Sequence, residues 1–140
     1  AVQNIIGFGK ACEICSINLE HENNHILKLR NTLLNGLKEI TPNIKVNGSL
    51  ETRIPGNLNI TIPNIKNSSL MMSVRNIALS NGSACTSNST EPSHVLKAIG
   101  LSKELANSSI RFGIGRFNTL EEINYTIEKI NKTIIKLRTL

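Results

Sequence analysis

The stretch SIRFGIGRFNTLEEINYTIEKINKTIIKL, residues 109–137, decides the fold because it joins a strand pattern to a helix pattern. Its first six residues alternate between apolar side chains and others, which predicts a strand with one buried face and Arg111 on the opposite face. The TLEE sequence beginning at Thr119 fits a capping box and predicts the start of a helix. Apolar residues then recur at helical spacing to the C-terminus: Leu120, Ile123, Ile127, Ile130, Ile134 and Leu137.

The remaining segments predict further short strands and helices around this unit. Strands are predicted at 44–46, before the turn at Asn47-Gly48, and at 58–62, where LNITI alternates. Helical spacing predicts a long arm over 5–40, bent near Asn23-Asn24, and a short helix over 68–76. Another helix is predicted between Pro92 and Gly100. Together these elements predict an α+β domain of two layers, with helices packed on a small, mostly antiparallel sheet.

Composition favours one compact domain and argues against two classes of partner. The chain has 140 residues, 39% of them hydrophobic, which suits one core. Although its formal net charge is +6, the basic residues are scattered and only 3% of residues are aromatic, so nucleic-acid binding is not expected. No stretch approaches the roughly 18 to 20 apolar residues of a membrane span, so no membrane association is expected either.

The chain's beginning and its cysteines bear on where it comes from. It starts at Ala1 within a helical pattern and without methionine, which favours a fragment of a longer protein. Residues 1–6 show no secretory signal, and the cysteines number three, an odd count. These features favour a reduced, cytoplasmic compartment.

Two short motifs imitate metal sites. His21 and His25 match the His-Glu-x-x-His pattern of zinc proteases, but the only other histidine is His94, so a solvated stretch is expected instead. Cys12 and Cys15 form a Cys-x-x-Cys inside an apolar helical pattern, where small buried side chains are expected. No metal ligand is therefore assigned. A metal-binding module built on both motifs remains an alternative that needs stoichiometric zinc in the purified protein.

Cys85 is the candidate nucleophile. It lies in the loop GSACTS, residues 82–87, with no large apolar neighbour in sequence to bury it. A thiolate is the nucleophilic form of cysteine, and hydroxyl and N–H donors in such a loop stabilise it. From local chemistry alone, a catalytic thiol and an inert loop cysteine both stay open.

Several blocks together resemble the C-terminal region of group I cysteine desulfurases, the housekeeping iron–sulfur assembly type in the class V aminotransferase family. Their order and spacing match nearly from end to end of the chain, which corresponds to about the last third of such an enzyme. Each block alone is weak, whereas the combination is specific. The blocks are RIPGNLN at 53–59, SACTS at 83–87, EPSHVLKAIG at 91–100, SSIRFGIGRF at 108–117 and TLEEI at 119–123.

The resemblance implies a fold, a reaction and two site residues. Residues 1–140 would be the single C-terminal small domain of a fold-type I pyridoxal-phosphate enzyme. Cys85 would take sulfur from L-cysteine, leaving L-alanine and a persulfide on Cys85, and Arg111 would bind the substrate carboxylate. Without the resemblance, a surface ion pair of Arg111 stays equally open. The cofactor's lysine and its other binding residues belong to the family's N-terminal domain, which this chain lacks. No residue here is therefore assigned to cofactor binding, and the chain by itself is expected to be inactive.

The resemblance also implies partners. An iron–sulfur scaffold protein would accept the sulfur, and the full-length enzyme would be a homodimer. The alternative is a stand-alone, non-catalytic domain that relays sulfur or serves in assembly, which would require another enzyme to load Cys85.

Overall fold

The computed structural model describes residues 1–81 and 93–139. In these ranges three strands, β1 (Lys45–Val46), β2 (Asn57–Thr61) and β3 (Ser109–Gly113), form one antiparallel sheet in that order. This arrangement confirms the predicted α+β class, with helices on a small antiparallel sheet. The elements follow one another as α1 (Val2–Ile40), β1 (Lys45–Val46), β2 (Asn57–Thr61), α2 (Asn67–Ser73), α3 (His94–Ala98), α4 (Lys103–Asn107), β3 (Ser109–Gly113) and α5 (Leu120–Arg138).

The core lies between the second half of α1, the helix α5 and one face of the sheet. Leu33 and Leu37 of α1, Ile60 of β2, Ile110 of β3 and Ile130 of α5 are all fully buried in one cluster. Burial of a Leu or Ile side chain stabilises the fold by about 1.5–3 kcal/mol. The alternation predicted for β2 and β3 is thus confirmed, because every second side chain of each strand enters this cluster.

The start of α5 confirms the predicted capping box. The Thr119 hydroxyl accepts from the Glu122 backbone N–H at 3.2 Å, and the Glu122 carboxylate accepts from the Thr119 N–H at 3.1 Å. Further along, Asn131 Nδ2 donates to the Gly36 carbonyl oxygen at 3.1 Å. A Cβ added to Gly36 would lie 2.7 Å from Ile127 Cδ1, so the glycine permits the close approach of α1 and α5.

The first half of α1 differs from the sequence prediction. The helix continues without interruption through Asn23 and Asn24, and its buried residues begin only at Leu29. Cys12 and Cys15 are both exposed, so the prediction that they are buried was wrong. Helical spacing of apolar residues predicts a helix, but it does not show which element packs against the apolar face. No other described part of the chain packs over the first half of α1.

Two smaller features also depart from prediction. Helix α4 was not predicted, and it begins where the Ser102 hydroxyl accepts from the Leu105 N–H at 3.2 Å. The helix predicted over 68–76 is shorter, because α2 spans only Asn67–Ser73. Beyond it, Ser80 pairs with Arg111 of β3 through an isolated bridge. Across the two described ranges, no helix combines the length and apolar character that a membrane crossing requires.

Candidate functional site

Arg111 occupies the face of the sheet that points away from the core. Its neighbours in β3, Ile110 and Phe112, are buried, whereas Arg111 is exposed, which confirms the predicted orientation. In the β2–β3 register its partner is Asn59, so the two side chains stand on the same outer face.

Backbone hydrogen bonds fix Arg111 to the segment that precedes residue 82. The Arg111 N–H donates to the Ser80 carbonyl oxygen at 2.7 Å, and the Ser80 N–H donates back to the Arg111 carbonyl oxygen at 3.2 Å. The Arg111 side chain adds a contact from Nη2 to Ser80 Oγ at 3.3 Å. Ser80, near the end of the first described range, is therefore held directly beside Arg111.

A cleft of about 490 Å³ opens over this outer face. Its described lining contains two arginines and no carboxylate, so the cleft favours anions. Asn81 and Ser93, the described residues on either side of 82–92, both line it. Cys85 itself lies outside the described residues. The lining comprises Asn47, Gly48, Arg53, Asn57, Asn59, Asn81, Ser93, His94, Val95, Leu96, Ile99 and Arg111.

A network of polar side chains joins β2, β3 and Asn47, the residue after β1, beneath the cleft. Asn47 Nδ2 donates to Asn59 Oδ1 at 2.7 Å and to Ser109 Oγ at 3.1 Å. The Thr61 hydroxyl donates to Asn47 Oδ1 at 2.9 Å and lies 2.8 Å from Ser109 Oγ. Asn47, Thr61 and Ser109 are buried, and satisfied buried networks rigidify their surroundings. The network therefore holds Asn59, the neighbour of Arg111, in place.

Arg53 is the second arginine of the cleft, and sequence reasoning gave it no role. Its Nη2 donates to the Asn47 carbonyl oxygen, whereas its Nη1 is buried and has no acceptor among residues 1–81 and 93–139. Burial, and to a lesser extent the positive charge of Arg30, lowers the pKa of Arg53 below its ordinary value. The RIPGNLN block contains this residue, but the sequence of the block does not show that Arg53 lines the cleft.

The two motifs that imitate metal sites lie on α1. Glu22 pairs with Arg116 at 3.0 Å, and His25 Nε2 donates to the Asn118 carbonyl oxygen at 3.0 Å. The expectation of a merely solvated stretch was thus incomplete, because these side chains hold the turn before α5 against α1. In the part of the chain that the structure describes, no three His, Cys, Asp or Glu residues are grouped to hold a metal ion.

The model of the aminotransferase class-V family matches residues 1–126. The chain belongs to this family. Among curated proteins, the Cysteine desulfurase IscS of Mannheimia succiniciproducens is 52% identical over 140 residues, which are 100% of this chain and 34% of that protein. The mitochondrial cysteine desulfurase of Arabidopsis thaliana is 46% identical over 138 residues, covering 99% of this chain and 30% of the relative. The resemblance inferred from the sequence is confirmed.

Solved structures show the same fold. A NifS-like protein aligns with a TM-score of 0.77 and 30% identity over 93% of this chain and 33% of its own. The NifS-like protein of Rickettsia africae gives a TM-score of 0.76 and 30% identity over 91% of this chain and 33% of its own. The chain spans about a third of the length of the curated relatives it matches.

Proposed function

We propose that this chain is the C-terminal domain of a pyridoxal-phosphate-dependent cysteine desulfurase, with Cys85 as the sulfur acceptor and Arg111 as the carboxylate ligand. One observation carries the proposal: the cleft that contains Arg111 is lined by Asn81 and by Ser93, and Cys85 lies between these residues in sequence. Four peptide units separate Asn81 from Cys85, a span of at most roughly 14 Å when fully extended. The two described residues that flank the range containing Cys85 therefore line the same cleft as the candidate anion ligand.

Arg111 suits the carboxylate of an amino acid. A planar guanidinium donates two parallel hydrogen bonds to a carboxylate, and its charge persists at every physiological pH. The strand fixes its backbone through the two bonds with Ser80, and the absence of any carboxylate from the described lining leaves the cleft without an internal competitor. Substrate orientation would follow from this single bidentate contact.

The proposed step transfers one sulfur atom to Cys85. The Cys85 thiolate attacks the sulfur of L-cysteine, so an S–S bond forms as the C–S bond breaks. The electron pair of the C–S bond stays with the substrate carbon, which takes a proton and leaves as L-alanine. L-Cysteine and the thiol thus give L-alanine and a Cys85 persulfide, and no external oxidant or reductant is needed.

Pyridoxal phosphate, when bound, supplies the electron sink for the carbon chemistry. Whether this chain could hold the cofactor covalently depends on a lysine amine in the cleft. No lysine is among the described residues that line the cleft, so the cleft offers groups for a carboxylate but not the amine that the cofactor needs. That amine would come from another part of the polypeptide, in keeping with the share of its relatives that this chain spans.

The proposal extends to partners and compartment. The persulfide would pass to the thiol of an iron–sulfur scaffold protein, and the whole enzyme would be a cytoplasmic homodimer. The lack of a lysine in the described lining also favours a second candidate, a sulfur-relay domain whose Cys85 is loaded by a separate enzyme. If the gene product alone forms alanine from cysteine, it is a desulfurase; if it forms none, the sulfur-relay candidate is favoured.

The test uses the purified gene product, supplied with pyridoxal phosphate, L-cysteine and a reductant. Cys85→Ser should abolish sulfide release, whereas Cys12→Ser, which changes an exposed thiol of α1 outside the described cleft lining, should not. Arg111→Gln should raise KM more than about tenfold, because a charge-assisted bidentate contact contributes about 1.5–3 kcal/mol. Full activity of Cys85→Ser or of Arg111→Gln would overturn the role assigned to that residue.

A further inference from the structure

We infer that Arg53 and Arg111 together make the cleft a two-arginine site, which prefers amino acids bearing a second anionic group to those bearing the α-carboxylate alone. The inference rests on the proposed role of Arg111 as the carboxylate ligand. It adds a residue that the proposed reaction does not use. Dianionic amino acids would then compete with the substrate for this cleft.

The sheet places both arginines along one polar row. Asn47, which directly follows β1, Asn59 of β2 and Arg111 of β3 succeed one another across the sheet: the Asn47 N–H donates to the Asn59 carbonyl oxygen at 2.9 Å, and Asn59 pairs with Arg111. Arg53 sits at the Asn47 end of this row, since its Nη2 donates to the Asn47 carbonyl oxygen. Two strand spacings, roughly 10 Å in all, separate the row's ends, so both side chains line one small cleft.

The Arg53 guanidinium has no anionic partner among the described residues. Its Nη1 is buried without an acceptor, and no ion pair of Arg53 or Arg30 exists in the described ranges. Arg30 is itself buried and bonds only the neutral Asn31 side chain. An unsatisfied buried donor and a like-charged neighbour are both unfavourable. An anion bound in the cleft that Arg53 lines would offset the repulsion between the Arg53 and Arg30 guanidinium groups.

The turn before Arg53 is shaped to hold the guanidinium in position. Gly48 has a φ of +79°, which favours glycine, and a Cβ built on it would lie 2.9 Å from Arg53 Nη2. A side chain at this position would press on the guanidinium. Because Gly48 has no side chain, the Arg53 side chain lies across the turn and is already ordered. Less conformational entropy is therefore lost when a ligand binds.

Calorimetric titration of the purified gene product with two probes at fixed ionic strength tests the inference. L-Alanine carries only the α-carboxylate, whereas L-cysteate adds a sulfonate of fixed charge. Wild-type protein should bind L-cysteate about tenfold more tightly than L-alanine, the ratio expected for one added charge-assisted hydrogen bond. Arg53→Gln should remove this preference by weakening L-cysteate binding about tenfold more than L-alanine binding. Arg75→Gln, at an exposed arginine outside the cleft lining, should preserve both affinities.

Further variants separate this inference from the proposed function. Arg53→Lys keeps the charge and should retain part of the preference, even if Arg53→Gln weakens the fold. Equal wild-type affinities for the two probes would overturn the role of Arg53 and leave that of Arg111 intact. If Arg111→Gln instead bound L-alanine as tightly as wild type, the carboxylate role of Arg111 would fail. A wild-type preference that survives in Arg53→Gln would also contradict the inference.

Discussion

Replacing Gly56 with alanine should destabilise the sheet that carries the cleft. A Cβ at this position would lie 2.0 Å from the Ile114 carbonyl oxygen, about 1 Å inside the 3.0 Å below which real Cβ contacts essentially never fall. The obstacle is a backbone atom, which cannot rotate away, and Ile26 Cγ2 closes another side at 3.2 Å. The strands must therefore separate, and the hydrogen bond from the Ile114 N–H to the Gly56 carbonyl oxygen, 2.8 Å long, is lost.

The magnitude follows from two terms. Overpacking of this kind costs about 1–3 kcal/mol, and a buried hydrogen bond left unmade costs about 1–3 kcal/mol. Together they predict that the free energy of unfolding falls by about 4 kcal/mol. At about 3 °C per kcal/mol for a domain of this size, the Tm should fall by roughly 12 °C.

Urea denaturation and thermal melting, followed by circular dichroism, measure the effect. Gly113→Ala is the matched control, because it changes a glycine of the adjoining strand whose added Cβ would meet nothing within 4 Å. The control should stay within about 1 kcal/mol of wild type. Gly56→Ala protein as stable as Gly113→Ala protein would refute the close approach of these backbones.

Three further substitutions test other parts of the fold. Thr119→Ala should lower the free energy of unfolding by about 1 kcal/mol in urea denaturation, and no change would contradict the observed cap. The side chain of Asn118 and the N–H of Thr119 lower the pKa of Glu122, so its stabilisation is present above its unfolded-state pKa and is lost as pH falls through the folded one. In Glu122→Gln protein the free energy of unfolding should therefore fall less steeply as pH is lowered than in wild type. An unchanged pH dependence would contradict the hydrogen bonds from Asn118 and Thr119 to Glu122. Asn47→Ala should cost about 2–3 kcal/mol by leaving buried partners unsatisfied. A neutral effect would mean that the network does not brace the sheet.

Local patterns predicted the elements whose causes are local. The alternation around Arg111 specified both a strand and the outward face, because side chains of a strand point to opposite sides at every step. The capping box at Thr119 fixed the start of α5, since its two hydrogen bonds join residues three apart. The family blocks identified Cys85 and Arg111 as candidates before any contact was known.

Features that depend on distant partners could not be read from the sequence. The exposure of Cys12 and Cys15 depends on what covers the first half of α1, and apolar spacing alone does not supply that cover. The entry of Arg53 into the cleft depends on the Asn47 carbonyl and on the space left by Gly48. Neither contact leaves a periodic signal in the sequence.

The most direct measurement is the mass of the Cys85-containing peptide after the gene product, supplied with pyridoxal phosphate, has reacted briefly with L-cysteine. Alkylation followed by proteolysis and mass spectrometry would locate any added sulfur. The proposed function predicts that the Cys85 peptide gains the mass of one sulfur atom, together with an equal amount of L-alanine, while the peptide carrying Cys12 and Cys15 gains none. L-Alanine formed with no sulfur on Cys85, or sulfur found only on Cys12 and Cys15, would contradict the assignment of Cys85 as the acceptor.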